Sequence, residues 1–209
     1  MRRVQTAVLA VLAAAALLFG MAAPAAAAPP TPPSAATARS QLAALTTEAE
    51  GSSSPYDRDL FPHWSPVSGN CNARETVLRR DGTNVTVGND CYPTSGSWYS
   101  PYDGVTLSSP SQVQIDHMIP LAEAWRSGAD TWSTARREDF ANDLATAQLW
   151  AVSGSSNQSK SDQDPAEWMP TRSAVHCLYA RAWVNVKYVW RLSVDSAERS
   201  ALTSILNRC

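Results

Sequence analysis

The chain has 209 residues, of which 44% are hydrophobic and 17% are charged, so it is too apolar for a disordered protein. If the N-terminal segment that holds Arg2 and Arg3 is removed, 15 Lys and Arg remain against 19 Asp and Glu, a formal charge of −4. This balance excludes binding of nucleic acid through the overall field of the protein, so any phosphate contact must come from local cations.

Residues 1–28 have the pattern of a secretory signal peptide. Arg2 and Arg3 precede an apolar run from Ala7 to Met21, and Ala26–Ala28 supply small residues before Pro29. A membrane anchor is the weaker alternative because the run is short and rich in alanine. We predict a secreted, extracellular protein that is a monomer and has no membrane association after the signal is removed.

The mature chain of about 180 residues is long enough for one domain. Residues 29–55 are predicted to be a linker rich in Pro and Ala that contains a short helix from Thr37 to Glu50. Gly51–Pro55 breaks this helix, and we expect the compact domain to span residues 56–209.

Two short runs are predicted to form an N-terminal β-hairpin in that domain. The runs are Glu75–Arg79 and Asn84–Gly88, and the turn dipeptide Asp81-Gly82 lies between them. A hairpin here would place Cys71 opposite Cys91, where a disulfide is geometrically favourable.

An even number of cysteines in an exported chain indicates two disulfides. Three pairings are possible for Cys71, Cys91, Cys177 and Cys209. We favour Cys71–Cys91 from the hairpin and Cys177–Cys209 because two antiparallel C-terminal helices would bring these residues together. A zinc site is the weaker alternative, since no two cysteines have ligand spacing.

Further along the chain, short strands and helices are predicted to alternate. The predicted strands are Gln112–Met118 and Gln148–Val152; the predicted helices are Leu121–Arg126, Thr134–Leu144, a short one after Ser153, one opened by Asp164–Glu167, Ser173–Leu192, and one opened by Asp195. This order predicts an α+β fold.

Among the three histidines, His117 is the candidate for chemistry. It follows Asp116 at the end of a predicted strand, and Pro120 turns the chain just beyond. An acid and a histidine can supply a metal ligand and a general base for phosphodiester hydrolysis. The alternative is a buried histidine that forms an ion pair with Asp116, and adjacent residues share one site only if the strand ends there.

Three blocks of sequence carry a resemblance to a known family. The blocks are Asp-His-Met-Ile-Pro-Leu-Ala-Glu-Ala-Trp at 116–125, Phe-Ala-Asn-Asp at 140–143, and 151–168, which contains Asn-Gln-Ser-Lys at 157–160. Together they resemble the secreted actinobacterial branch of the HNH endonuclease family, commonly grouped with the nuclease domain of the GmrSD type. The resemblance covers residues from about 56 to 209.

The resemblance implies a ββα-metal core, in which two short strands and a helix hold one divalent cation, embedded in a mainly helical domain stapled by disulfides. It implies that His117 is the general base and that Asp116 and Asn157 are the metal ligands. The family's base-orienting Asn has no counterpart, and Gln148 is nearest to it in position. Lys160 corresponds to a phosphate contact, with a solvated lysine as the alternative.

The expected activity is hydrolysis of DNA, or of RNA, with little sequence specificity. Ligands with carboxylate and amide oxygen suit Mg²⁺, with Mn²⁺ next. Arg74 and Arg79 are further candidates for phosphate contact, and Glu123 is a candidate to support the site or a surface acid of its helix.

A secreted, non-catalytic binding protein on an inactive nuclease-like fold is the alternative function. Eight Trp and six Tyr in a mildly acidic chain favour a ligand such as cell-wall glycan, because exposed aromatic rings stack on sugars. Most of these aromatics fall at core spacing, which favours the nuclease.

Overall fold

A computed structural model describes residues 28–209, and the predicted signal peptide lies outside them except for Ala28. In this range the helices are α1 (Ala35–Ala44), α2 (Ala73–Asp81), α3 (Leu121–Arg126), α4 (Thr134–Ala141), α5 (Gly154–Lys160), α6 (His176–Trp190) and α7 (Ser196–Leu206). The strands are β1 (Pro66–Ser68), β2 (Cys71–Asn72), β3 (Gly82–Val87), β4 (Pro93–Tyr99), β5 (Thr106–Leu107), β6 (Val113–His117) and β7 (Leu149–Ser153). No helix within 28–209 is long and apolar enough to cross a membrane.

The central ribbon consists of β6 and β7, which pair antiparallel with Val113 opposite Ser153 and His117 opposite Leu149. Helix α5 follows β7 directly and packs on both strands. The predicted order of two strands and a following helix is therefore present, and the fold is α+β.

The two faces of this ribbon enter two separate hydrophobic cores. Trp150 and Val152 join a large core built mainly from helices α1, α3, α4, α6 and α7. Ile115, Leu149 and Ala151 join a smaller core with α2 and β4. Burial on both faces explains why β7 is continuously apolar instead of alternating.

The predicted hairpin over Glu75–Gly88 is wrong, because residues 73–81 form helix α2. Asn72 accepts a hydrogen bond from the Glu75 amide, and Glu75 accepts one from the Asn72 amide. This reciprocal capping box outweighs the strand propensity of the run. The observed hairpin joins β3 to β4 instead.

Both predicted disulfides are nonetheless present, Cys71–Cys91 and Cys177–Cys209. Cys71 lies on β2 and Cys91 lies in the turn between β3 and β4, so the first bridge ties that hairpin to the start of α2. The second joins the start of α6 to the residue that follows α7 by three positions, as the antiparallel helices predict.

Two further predictions need correction. The helix expected at Asp164–Glu167 is only a turn, in which the Asp164 carboxylate accepts from the Ala166 amide and Pro170 leaves no room for a second helical turn. The segment predicted as a linker contributes to the core, because α1 buries Ala38 and Leu42 against α6 and α7.

Candidate active site

A cleft of about 470 Å³ opens where β6 ends, beside the N-terminal half of α3. Asp116, His117 and Asn157 line it together, and Arg58 lines it from a separate segment. His117 is the last residue of β6. Because the strand ends there, two adjacent side chains that leave opposite faces of the ribbon reach one cavity.

The His117 imidazole is held in one tautomer. Its Nε2 lies 2.9 Å from the Ala141 carbonyl oxygen, which can only accept, so Nε2 carries the proton. Its Nδ1 forms no hydrogen bond with any residue in 28–209, and because His117 lines the cleft, this nitrogen is available there as an acceptor. Burial of the ring lowers the pKa of His117 to about 3, which keeps the imidazole neutral.

Backbone and aromatic contacts orient His117. Trp64 lies against the imidazole with ring centroids 5.5 Å apart, and Trp64 adopts a left-handed φ of 63° that bulky residues rarely adopt. Asn142 fixes this segment on α4: its side chain accepts from the Ser65 amide and donates to the Pro62 carbonyl oxygen. The end of α4 therefore controls both contacts of the His117 ring.

The Gln148 side chain forms its hydrogen bonds with Ile119 and not with His117, which corrects its expected role as the orienting residue. Its amide oxygen accepts from the Ile119 amide, and its amide nitrogen donates to the Ile119 carbonyl oxygen. Gln148 thus fixes the chain just after β6. The orienting acceptor is the Ala141 backbone carbonyl, which a side-chain motif cannot reveal.

Asp116 is held in a buried hydrogen-bond network. Lys160 Nζ lies 2.7 Å and 2.8 Å from the two carboxylate oxygens, and Tyr102 donates to Oδ2 at 2.6 Å. Burial raises the pKa of Asp116 and lowers the pKa of Lys160, whereas the attraction between the two charges opposes both shifts. The short bonds favour the ionised pair.

Lys160 is not placed to contact a phosphate, which corrects the sequence-based expectation. Its ammonium is fully buried, and its third hydrogen bond goes to the His117 carbonyl oxygen at 2.7 Å. An ammonium group has three donors, and all three are satisfied inside the protein. Lys160 instead holds Asp116 and the backbone of His117 in place.

Asp116 and Asn157 fit a divalent cation in donor chemistry. A carboxylate offers about four lone-pair sites, and three at Asp116 are taken, which leaves one on Oδ1. Asn157 donates through Nδ2 to Gln114 at 2.8 Å, and its side-chain oxygen forms no hydrogen bond with any residue in 28–209. Mg²⁺ is commonly bound by few protein oxygens together with several waters.

The other three residues that the sequence suggested for the site form structural contacts elsewhere in the protein. Arg74 donates to the Val113 carbonyl oxygen and lies over the Tyr92 ring, and Arg79 lies against the sulfurs of the Cys71–Cys91 bridge. Glu123 is fully buried and accepts from Lys187 at 2.8 Å and from Ser127. Neither arginine lines the cleft, and Glu123 is part of the helical core instead of the helix surface.

Arg58 was not among the residues that the sequence motifs point to. It lines the cleft with Asp116 and His117 and is exposed. Arg126 also lines the cleft, but its guanidinium donates to Glu123 and Asp162. Arg58 lies about 60 residues before the motif, and only the tertiary structure brings it to the site.

Comparisons with known proteins agree with the resemblance at the level of the family. Residues 79–205 match the family described as GmrSD restriction endonucleases, C-terminal domain. A relative named "Uncharacterized secreted protein", from Arthroderma benhamiae, is 56% identical over 173 residues, which cover 83% of this chain and 85% of the relative. That relative is fungal, so a specifically actinobacterial branch is not supported. No solved structure gave a significant match. The chain belongs to the family of the C-terminal domain of GmrSD restriction endonucleases.

Proposed function

We propose that this chain is an exported, metal-dependent nuclease that hydrolyses phosphodiester bonds of DNA, or of RNA, with little sequence specificity. The observation that supports it most is that His117 and Asn157 line one cleft, while His117 Nδ1 and the Asn157 side-chain oxygen form no hydrogen bond within residues 28–209. The N-terminal signal pattern and the relative named as a secreted protein support export.

His117 acts as the general base. Nδ1 takes a proton from a water molecule, whose oxygen attacks the phosphorus while the bond to the 3′ oxygen breaks. The Ala141 carbonyl holds the Nε2 proton and so stabilises the imidazolium that forms. The negative charge of a bound phosphodiester raises the pKa of the neighbouring imidazole, which offsets the effect of burial. The products carry 5′-phosphate and 3′-hydroxyl ends.

Asp116 and Asn157 hold the divalent cation, Mg²⁺ before Mn²⁺. When bound, this ion supplies Lewis-acid stabilisation of the charge that develops on the phosphate and on the leaving oxygen. The HNH-type ββα-metal core is thus the β6, β7 and α5 unit. Lys160 and Tyr102 fix the Asp116 carboxylate and leave one lone pair of Oδ1 that would be available to the ion.

The glycan-binding alternative has little support from the aromatic residues. Trp98, Trp150 and Trp183 are fully buried. Among the described residues, the aromatic side chains that stand out as exposed are Tyr99 and Tyr188. We therefore retain the nuclease as the proposed function.

A plasmid-nicking assay of the purified mature protein tests this proposal. We expect nicking with Mg²⁺, none with EDTA, and nicking by His117→Ala that is slower by about 10²-fold or more. The matched control is His176→Ala, because His176 also bonds a backbone carbonyl, that of Pro170, but does not line the cleft. Nicking that persists in EDTA, or a near-normal rate in His117→Ala, would contradict the mechanism.

A further inference from the structure

A phosphodiester in the cleft requires a cation, and the described cations near the motif are already committed. The three donors of Lys160 are satisfied by Asp116 and the His117 carbonyl oxygen. Arg126 donates to two carboxylates, Glu123 and Asp162, at 3.0 and 2.8 Å. In a mature chain with a formal charge of −4, the overall field does not supply the missing attraction.

Arg58 differs from Lys160 and Arg126 in this respect. Its side chain forms no ion pair or hydrogen bond with any residue in 28–209, and it lines the cleft with Asp116 and His117. The neighbouring acids Asp57 and Asp59 do not line the cleft. An unpaired arginine at the mouth of an active-site cleft is therefore available for an anion.

The backbone that carries Arg58 is firmly placed. Tyr56 packs against Phe61 and Trp125, with ring centroids 6.3 and 6.1 Å away, and Phe61 is fully buried. Arg58 begins a short 3₁₀ turn between these two anchors, and the Asp57 carboxylate caps that turn through the Asp59 amide. The backbone of Arg58 is therefore fixed beside the cleft by packing on both sides, while its side chain is exposed.

We propose that Arg58 binds the scissile phosphate. This inference rests on the proposed nuclease function and adds a residue to its site. A guanidinium presents a planar fork that matches two nonbridging oxygens of one phosphate group. From its place beside His117, it offsets the negative charge of the phosphodiester and the charge added as water attacks. The substrate class that this predicts is any phosphodiester that fits the cleft, since the contact is to the phosphate and not to a base.

The test compares Arg58→Ala with wild type on two substrates, supercoiled plasmid DNA and bis(4-nitrophenyl) phosphate. The second has a single phosphate, so it reports only on the reacting group. We expect Arg58→Ala to lower kcat/KM by roughly 10- to 100-fold on both substrates, as for loss of a charge-assisted contact. Arg58→Lys should recover part of the activity, because the charge remains without the fork.

Arg208→Ala is the charge-matched control, since Arg208 is exposed and does not line the cleft, and within residues 28–209 its side chain bonds only to Ser204. It should leave both rates unchanged. The melting temperature of Arg58→Ala should be close to that of wild type, because no side-chain hydrogen bond or ion pair within residues 28–209 is lost.

Two outcomes overturn the inference. The first is a normal rate of Arg58→Ala on both substrates. The second is a loss on plasmid alone, which would place Arg58 on a flanking phosphate. Failure of the wild-type protein to cleave either substrate is a different result, because it would reject the nuclease function itself.

Discussion

Replacement of Lys160 by Met tests which of two roles this residue has. The sequence motif suggests a phosphate contact, whereas the structure buries the ammonium against Asp116. Met is unbranched like Lys, one heavy atom shorter, and removes the charge and the three donors. The Asp116 carboxylate would then stay buried with Tyr102 as its remaining donor.

The expected cost follows from this geometry. Removing one partner of a buried ion pair leaves the other charge uncompensated, which costs about 3–5 kcal/mol. With an m-value of about 2 kcal/mol per molar urea, the unfolding midpoint should fall by about 1.5–2.5 M. The double variant Lys160→Met/Asp116→Asn buries no charge and should lie within about 2 kcal/mol of wild type.

Urea unfolding of the disulfide-intact protein in EDTA measures all three free energies. The buried ion pair would be contradicted by two results together. The free energy of unfolding of Lys160→Met would fall by less than about 0.5 kcal/mol, and its DNA-binding salt slope would be shallower by about one unit. Such a result would mean that the Lys160 ammonium reaches solvent and substrate.

Four further predictions rest on the same structure. His117→Ala should lose about 10²-fold or more of the cleavage rate while its circular dichroism spectrum stays native, and an active folded variant would reject the base. Asn157→Ala should need more Mg²⁺ for half-maximal cleavage, and an unchanged metal titration would place the ion elsewhere. Binding of duplex DNA in Ca²⁺ should show a log–log salt slope of roughly −2 to −4, because few cations reach the cleft; a slope near −10 would indicate a large basic surface. Burial raises the pKa of the Glu198 carboxyl from 4.5 to about 7, so the folded state favours its protonated form. The stability that this form contributes is fully present below pH 4.5 and is lost as pH rises through 7. Urea midpoints of Glu198→Gln should therefore vary less than those of wild type between pH 4.5 and 8, and an equal variation would contradict this.

The elements that the sequence predicted well are those with strong local signals. The apolar periodicity of α6 and the Asp195 cap of α7 placed both C-terminal helices, and with them the Cys177–Cys209 bridge. The Cys71–Cys91 bridge was predicted correctly, although the hairpin from which it was inferred does not form. An Asn72-x-x-Glu75 capping box was available in the sequence and was missed in favour of strand propensity.

The site was predictable only in part, because its motif residues meet partners that are remote in sequence. Asp116, His117 and Asn157 do line one cleft, as the motif suggests. The acceptor of His117 Nε2 is a backbone carbonyl 24 residues away, and any residue type at 141 could supply it. Arg58 carries no local signal at all. Its proposed role rests on the absence of a side-chain partner within residues 28–209 and on the cleft that it lines.

The spacing of the motif itself acquires a structural reason from the way α5 packs on β6. Gln114 and Asp116 are two residues apart and so lie on one face of the strand, while Asn157 and Lys160 are three apart and so lie on one face of the helix. Two hydrogen-bonded pairs, Asn157–Gln114 and Lys160–Asp116, join these faces. Along the strand axis Gln114 and Asp116 are about 6.6 Å apart, and along the helix axis Asn157 and Lys160 are about 4.5 Å apart. The long lysine side chain can bridge this difference. The Asn-x-x-Lys spacing therefore sets the register of helix on strand. It places Asn157 at the cleft, whereas the ammonium of Lys160, one turn later, is buried against Asp116. In the proposed nuclease, the cation that binds the phosphate therefore comes from another segment of the chain.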